Sequence, residues 1–170
     1  MDFVRVSNEN RLWKQLINDW EDQCREFGED IGDYATASLP VLESLASETQ
    51  RKNAGVFAVR SERGFEGICQ LNVTPLPGYT GPVLRVRHIV HAPRYDFEEA
   101  MDIDEYAAVL ASTLLGVFRT SEHDMKAEHI KFHFKSPAEQ MFFSKLKDAL
   151  AEKELFSLME LKGSWLYITK

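Results

Sequence analysis

The sequence predicts an α/β domain on a central, mostly antiparallel mixed sheet with helices on both faces. Three observations support this. Residues 83–91 are rich in β-branched side chains between Pro82 and Pro93, and an acidic connection joins them to a helix uncharged over residues 107–118. Two more strand-like runs, residues 55–60 and 67–74, lie just ahead and suit an antiparallel meander. A further strand-like run follows the uncharged helix. Strand, helix and strand in that succession close as a right-handed crossover between parallel neighbours.

In chain order, residues 2–6 set Phe3, Val4 and Val6 among polar positions and form a short first strand. A helix follows Ser7 and Asn8. Leu12, Trp13, Leu16, Ile17, Trp20 and Cys24 mark its apolar face, and Gly28 supplies its stop. Residues 29–36 read as an acidic loop. Pro40 then opens a second helix that ends by residues 51–53. The turn SERG joins the first two meander strands, and Pro77-Gly78 suits the centre of a type II turn before the third.

Asp102, with Glu105 three residues on, has the form of a capping box for the uncharged helix. That helix is apolar all round, so it is buried on more than one side. At about 12 residues its uncharged run is short of the roughly 18 needed to span a bilayer. In residues 128–134, Ile130, Phe132 and Phe134 alternate with His129, Lys131 and His133. Ser136-Pro137-Ala138-Glu139 starts the next helix, whose stripe is Phe142, Leu146, Ala149 and Leu150. Residues 155–161 and 164–169 form a closing hairpin around Lys162-Gly163.

A chain of 170 residues without repeat or linker reads as one domain. Its net charge of −7 and scattered Lys and Arg predict neither nucleic acid nor membrane as a partner. The amino end lacks a basic start followed by an apolar segment, which points to the cytoplasm. Cys24 and Cys69 fall inside apolar patterns and read as two reduced core thiols, with a disulfide between them as the alternative. No metal site is expected. His129 and His133 are about 13 Å apart along a strand, and His88 and His91 are expected to point to opposite faces.

The order β-α-α-β-β-β-α-β-α-β-β resembles that of the GNAT superfamily of acyl-CoA N-acyltransferases. The likeness spans almost the whole chain and includes one local echo. Many members carry Asn-x-x-Ala-x-x-Leu/Phe-Tyr-x-Lys-Leu in the fourth helix; here Ser136, Glu139, Phe142, Phe143, Lys145 and Leu146 take those places. The resemblance implies an acyl-CoA co-substrate lying where the fourth and fifth strands part, and a small-molecule or peptide amine as acceptor. It implies backbone donors at Val90, His91 and Ala92 for the thioester, with Arg94 beside the coenzyme. His88 or His91 is then the candidate base.

Two departures stand out. The family's pyrophosphate loop carries glycines, whereas residues 92–106 carry none and hold six carboxylates: Asp96, Glu98, Glu99, Asp102, Asp104 and Glu105. Those carboxylates either cap and complement the helix start or bind a cationic partner. The family's Tyr, a proton donor to the leaving thiolate, is replaced by Phe143, which leaves Tyr95 or Tyr106 to take that role. Arg85 and Arg87 share a strand face and suit either a substrate carboxylate or acidic neighbours. The rival reading is a GNAT-like domain without coenzyme A that serves as a non-catalytic binding or assembly module. A homodimer is a further expectation.

Overall fold

Seven strands pair into one sheet: β1 (Asp2–Val6), β2 (Ala54–Ser61), β3 (Gly64–Pro75), β4 (Pro82–His91), β5 (His129–His133), β6 (Leu158–Lys162) and β7 (Trp165–Thr169). The helices are α1 (Leu12–Glu26), α2 (Leu39–Ser47), α3 (Arg94–Phe97), α4 (Ile103–Glu122) and α5 (Pro137–Ala151). This computed structural model describes residues 1–48, 50–100, 102–151 and 155–170. Thr49, which the expected second helix included, and Met101 of the acidic connection lie outside the described residues, as do residues 152–154.

The strand order is β1-β2-β3-β4-β5-β7-β6, and every neighbouring pair is antiparallel except β4 with β5. The mixed sheet, the meander and the parallel crossover match the expected fold. Alternation along the strands divides the core between two faces. Val56, Ala58 and Ile68 meet Trp13, Leu16, Trp20 and Leu42 of α1 and α2. Leu71, Leu84, Val86, Ile130, Phe132 and Leu166 pack with Leu114 and Val117 of α4 and Phe143 of α5. Cys24 and Cys69 are free buried thiols. No helix among the described residues is long and apolar enough to cross a membrane.

Local chemistry explains the helix starts. The Asp102 carboxylate accepts from the amides of Asp104 (2.9 Å) and Glu105 (3.2 Å), the capping read from sequence. Ser136 and Glu139 form the reciprocal box: Glu139 N–H donates to Ser136 Oγ at 3.1 Å, and Glu139 accepts from Ser136 N–H at 2.9 Å. Some boundaries differ from expectation. The second helix ends at Ser47, and the acidic connection contains the short α3. The closing strands begin at Leu158 and Trp165.

Gly116 lets α4 lie close against β1. A Cβ there would sit 2.1 Å from Phe3 Cγ and 2.5 Å from Phe3 Cβ, and rotating the ring cannot relieve the second contact. Gly116→Ala is therefore expected to lose about 3 kcal/mol to overpacking, more than the roughly 1 kcal/mol that alanine adds to a helix. A lower urea midpoint at unchanged slope is the expected result.

The feature that positions the site is a bulge in β4. Ile68 pairs with Val90 and Gln70 with Arg87, so Cys69 alone opposes His88 and Ile89. His88 takes up the extra residue in the left-handed region, at φ 50°. A bulge bends its strand. Accordingly β4 pairs with β5 only from Val83/His129 to Val86/Phe132, and the two part beyond that.

Candidate functional site in the gap between β4 and β5

Where the strands part lies a cavity of about 370 Å³. Ile89, Val90 and His91 of β4 form one wall, and Lys135, Ser136 and Glu139 form another just past β5. The loop before α2, including Tyr34 and Ser38, closes one side, and Tyr106 of α4 another. Strand divergence therefore produces an open, half-polar slot at the amino ends of two helices.

Backbone alternation decides which amides face the slot. The Val90 carbonyl lies on the β3 side, 3.2 Å from where a Gly67 Cβ would stand. The Ala92 N–H donates to Glu66 O at 2.9 Å, also toward β3. The His91 carbonyl instead accepts the Tyr34 hydroxyl at 2.8 Å, so the His91 N–H shares its outward edge. Of the three expected donors, Val90 and Ala92 turn toward β3 and His91 turns outward.

His91 lines the slot, and His88 stands behind its wall, in touch with it through Ser38. His88 Nδ1 stands 3.4 Å from Ser38 Oγ, which also accepts from Lys135 Nζ at 3.1 Å. Ser38 precedes α2, but its hydroxyl makes no cap bond and is turned to this cluster. Burial lowers the His88 pKa, and the positive charges of Arg87 and Lys135 lower it further. A neutral imidazole beside a cavity can accept a proton.

His91 is 9 % exposed and packs on Tyr106 with ring centroids 4.6 Å apart. Its Nδ1 faces the Tyr106 hydroxyl at 3.4 Å, while its Nε2 is buried without a partner. Burial drops its pKa to about 4. The unfolded chain therefore binds a proton between pH 6.5 and about 4 that the folded chain does not. The stability tied to neutral His91 is complete above pH 6.5 and declines as pH falls to about 4. It is worth about 3 kcal/mol as an upper bound. Urea titrations across that window should show the loss, and His91→Phe should flatten it.

The two candidate tyrosines are placed differently. The Tyr95 hydroxyl lies between Glu66 (2.9 Å) and Glu105 (3.1 Å), and Tyr95 is not part of the cavity wall. Tyr106 lines the cavity, and burial pushes its pKa up to about 12, keeping it a proton donor. Phe143 is buried against Phe132 and Phe134.

Arg94, expected beside the coenzyme, has its guanidinium paired with fully buried Glu66 and braces α3 against β3. Sequence reasoning missed Glu66, which falls between the SERG turn and the strand read over residues 67–74. Ser61 also donates to it, and Arg63 pairs with Glu105. The network joins the β2–β3 turn to the starts of α3 and α4. Tyr34 and Ser38 were missed too, because both lie in or beside a stretch that reads only as acidic loop.

The acidic connection uses its own amides. Those of Tyr95 through Glu98 bond to carbonyls within residues 92–94, and those of Asp104 and Glu105 bond to Asp102. Of the two readings of its carboxylates, capping is the one observed for Asp102. Among the described residues no three His, Cys, Asp or Glu side chains converge as a metal site.

No family model matches the sequence, and no curated protein matches it. Among solved structures the chain is similar to an N-acetyltransferase from Staphylococcus aureus Mu50. The TM-score is 0.54 at 9 % identity, covering 99 % of this chain and 96 % of that one. It is also similar to a probable acetyltransferase, with a TM-score of 0.50 at 16 % identity, covering 96 % and 97 %. With its crossover, its bulged β4 and the parted β4–β5 pair, the chain has the fold of the GNAT N-acetyltransferases.

Proposed function

We infer that this protein is an acyl-CoA-dependent N-acyltransferase that takes its thioester into the gap between β4 and β5. The observation that supports this most is the slot itself: bulky side chains do not fill it, and a cavity of about 370 Å³ remains between the diverging strands. The His91 N–H, on the open edge of β4, is the donor for the thioester oxygen. His88, neutral and anchored at Ser38, takes the proton of the acceptor ammonium. The neutral amine attacks the thioester carbonyl; the carbon–nitrogen bond forms and the carbon–sulfur bond breaks. Tyr106 supplies a proton to the departing thiolate and is restored by the second proton, which the acylated nitrogen gives up.

The slot leaves room for the thioester end of a coenzyme, whereas the helix start is poorly suited to its pyrophosphate. Asp102 occupies amides that a pyrophosphate would use, and its charge opposes one. Binding then rests on the pantetheine arm and the acyl group. A second reading follows from the same carboxylate: a domain of this fold that binds a partner without coenzyme A.

Calorimetric titration with acetyl-CoA and longer acyl-CoAs separates the two readings. The enzyme reading expects saturable heat at up to millimolar ligand, with similar affinity for acetyl-CoA and for S-acetylpantetheine, which lacks the pyrophosphate. Absence of heat and of any thermal shift overturns it in favour of the module.

A further inference from the structure

The layer of α1 and α2 lies against β2 and β3. The same sheet face continues across β4, β5 and β7, where its side chains stay half-exposed. Register places them in rows. Asn72, Arg85, Lys131 and Tyr167 form one row, with Arg85 opposite Lys131 and Lys131 opposite Tyr167. Gln70 with Arg87, and His133 with Trp165, extend the face toward the gap. Lys135 then carries it to the cavity wall.

This face collects cations on β4 and β5; the carboxylate at the far end of the row, Glu160 opposite Tyr167, is paired with Lys162 at 2.8 Å. Among the described residues no carboxylate lies within 4.0 Å of Arg85, Arg87 or Lys131. The acidic neighbours that a pair of strand arginines ordinarily finds are missing, in a chain whose net charge is −7. Lys131 Nζ instead stands over the rings of Trp165 (4.8 Å) and Tyr167 (4.6 Å), which hold a cation without neutralising it. The crowding is felt: Arg85 is lowered first by burial and then by Arg87, and Arg87 and Lys135 also lower His133. Holding like charges together costs stability unless an anion joins them.

We propose that this open face of β4, β5 and β7 binds the anionic end of the acceptor: an amine that also carries a carboxylate or phosphate, gripped by Arg85, Arg87 and Lys131. Arg85 and Arg87 stand about 7 Å apart along the strand, close enough for two guanidinium forks to share one multiply charged group. The face runs to the slot through Arg87, His133 and Lys135, so an acceptor held there extends its amine toward His88. The occupant is a small anion. The rows supply two rings already engaged by Lys131, and the rest of the chain is acidic, which disfavours a polynucleotide. The identification as an acceptor rests on the acyltransferase reading; the anion site itself does not.

Trp165 lies in the face, whereas Trp13 and Trp20 are buried under α1, so indole fluorescence reports binding locally. The full chain is titrated at low salt with O-phospho-L-serine, L-glutamate and inorganic phosphate, with polyuridylate as competitor. Saturable change with phosphoserine or glutamate is expected. Arg85→Gln/Arg87→Gln should weaken it at least tenfold with a melting temperature near that of the parent, and Trp165→Phe should abolish the signal. Inorganic phosphate binding as tightly as both amino acids marks a bare phosphate site and overturns the acceptor assignment. No saturable change, equal binding by the double variant, or preferential binding of polyuridylate overturns the site. Anion binding without any acetyl-CoA binding keeps the site and removes the transferase instead.

Discussion

Glu66→Gln is expected to lower folding stability by about 3 kcal/mol. Glu66 is fully buried, and its carboxylate receives Arg94, Tyr95 and Ser61. Replacing it with a neutral amide leaves the Arg94 guanidinium, only 15 % exposed, facing Glu105 at 4.0 Å as its remaining counter-charge. A buried charge that loses its partner typically costs about 3–5 kcal/mol, and the residual contact places this case at the low end. Removing both charges, as in Glu66→Leu with Arg94→Met, should recover much of the loss. Chemical denaturation of Glu66→Leu, Arg94→Met and the double variant closes the double-mutant cycle, with Glu66→Gln measured beside them. The consequence extends to function, because the Glu66 carbonyl also holds Ala92 where β4 ends and α3 begins.

His88→Asn is expected to reduce kcat/KM by about 10²–10³, the contribution usual for a positioned base. Asparagine is chosen because it tolerates the left-handed backbone at φ 50°, so the bulge persists while the imidazole is lost. Burial, then Arg87 and Lys135, keep the His88 pKa below the ordinary histidine value. Activity of the parent should therefore rise with pH through a midpoint below 6.5 and level off above it. Removing the Arg87 charge should move that midpoint upward, toward 6.5. A pH–rate profile with acetyl-CoA and O-phospho-L-serine reads both effects. An unchanged acid limb in His88→Asn contradicts the assignment.

Features set by local chemistry were legible in the sequence. Asp102 caps α4, Ser136 and Glu139 box α5, and Lys162-Gly163 turns the last hairpin, because each depends on residues within a few positions. The order of elements was legible too, since β-branched runs and helical spacing mark each one. The bulge was not. His88 carries no turn-forming signal, and its left-handed backbone arises from how β3 and β4 register over ten residues. That extra residue turns His88 toward Ser38 with the face of Arg87, a contact 50 positions away in sequence. Where Val90, Ala92, Tyr95 and Arg94 point was not legible for a related reason: strand alternation and buried Glu66, 28 residues from Arg94, decide it. The unpaired Arg85 and Arg87 are the same kind of case, because only the sheet shows that no acid stands beside them.

The central claim is that acyl-coenzyme A enters between β4 and β5 where the bulge parts them. Amide NMR of the isotopically labelled chain during an acetyl-CoA titration tests it directly. The account predicts that the His91 N–H shifts most, accompanied by residues 87–90 and 135–139, with the β1–β2 pair unmoved. Shifts confined to other surfaces, or an unchanged His91 amide at millimolar acetyl-CoA, would contradict it.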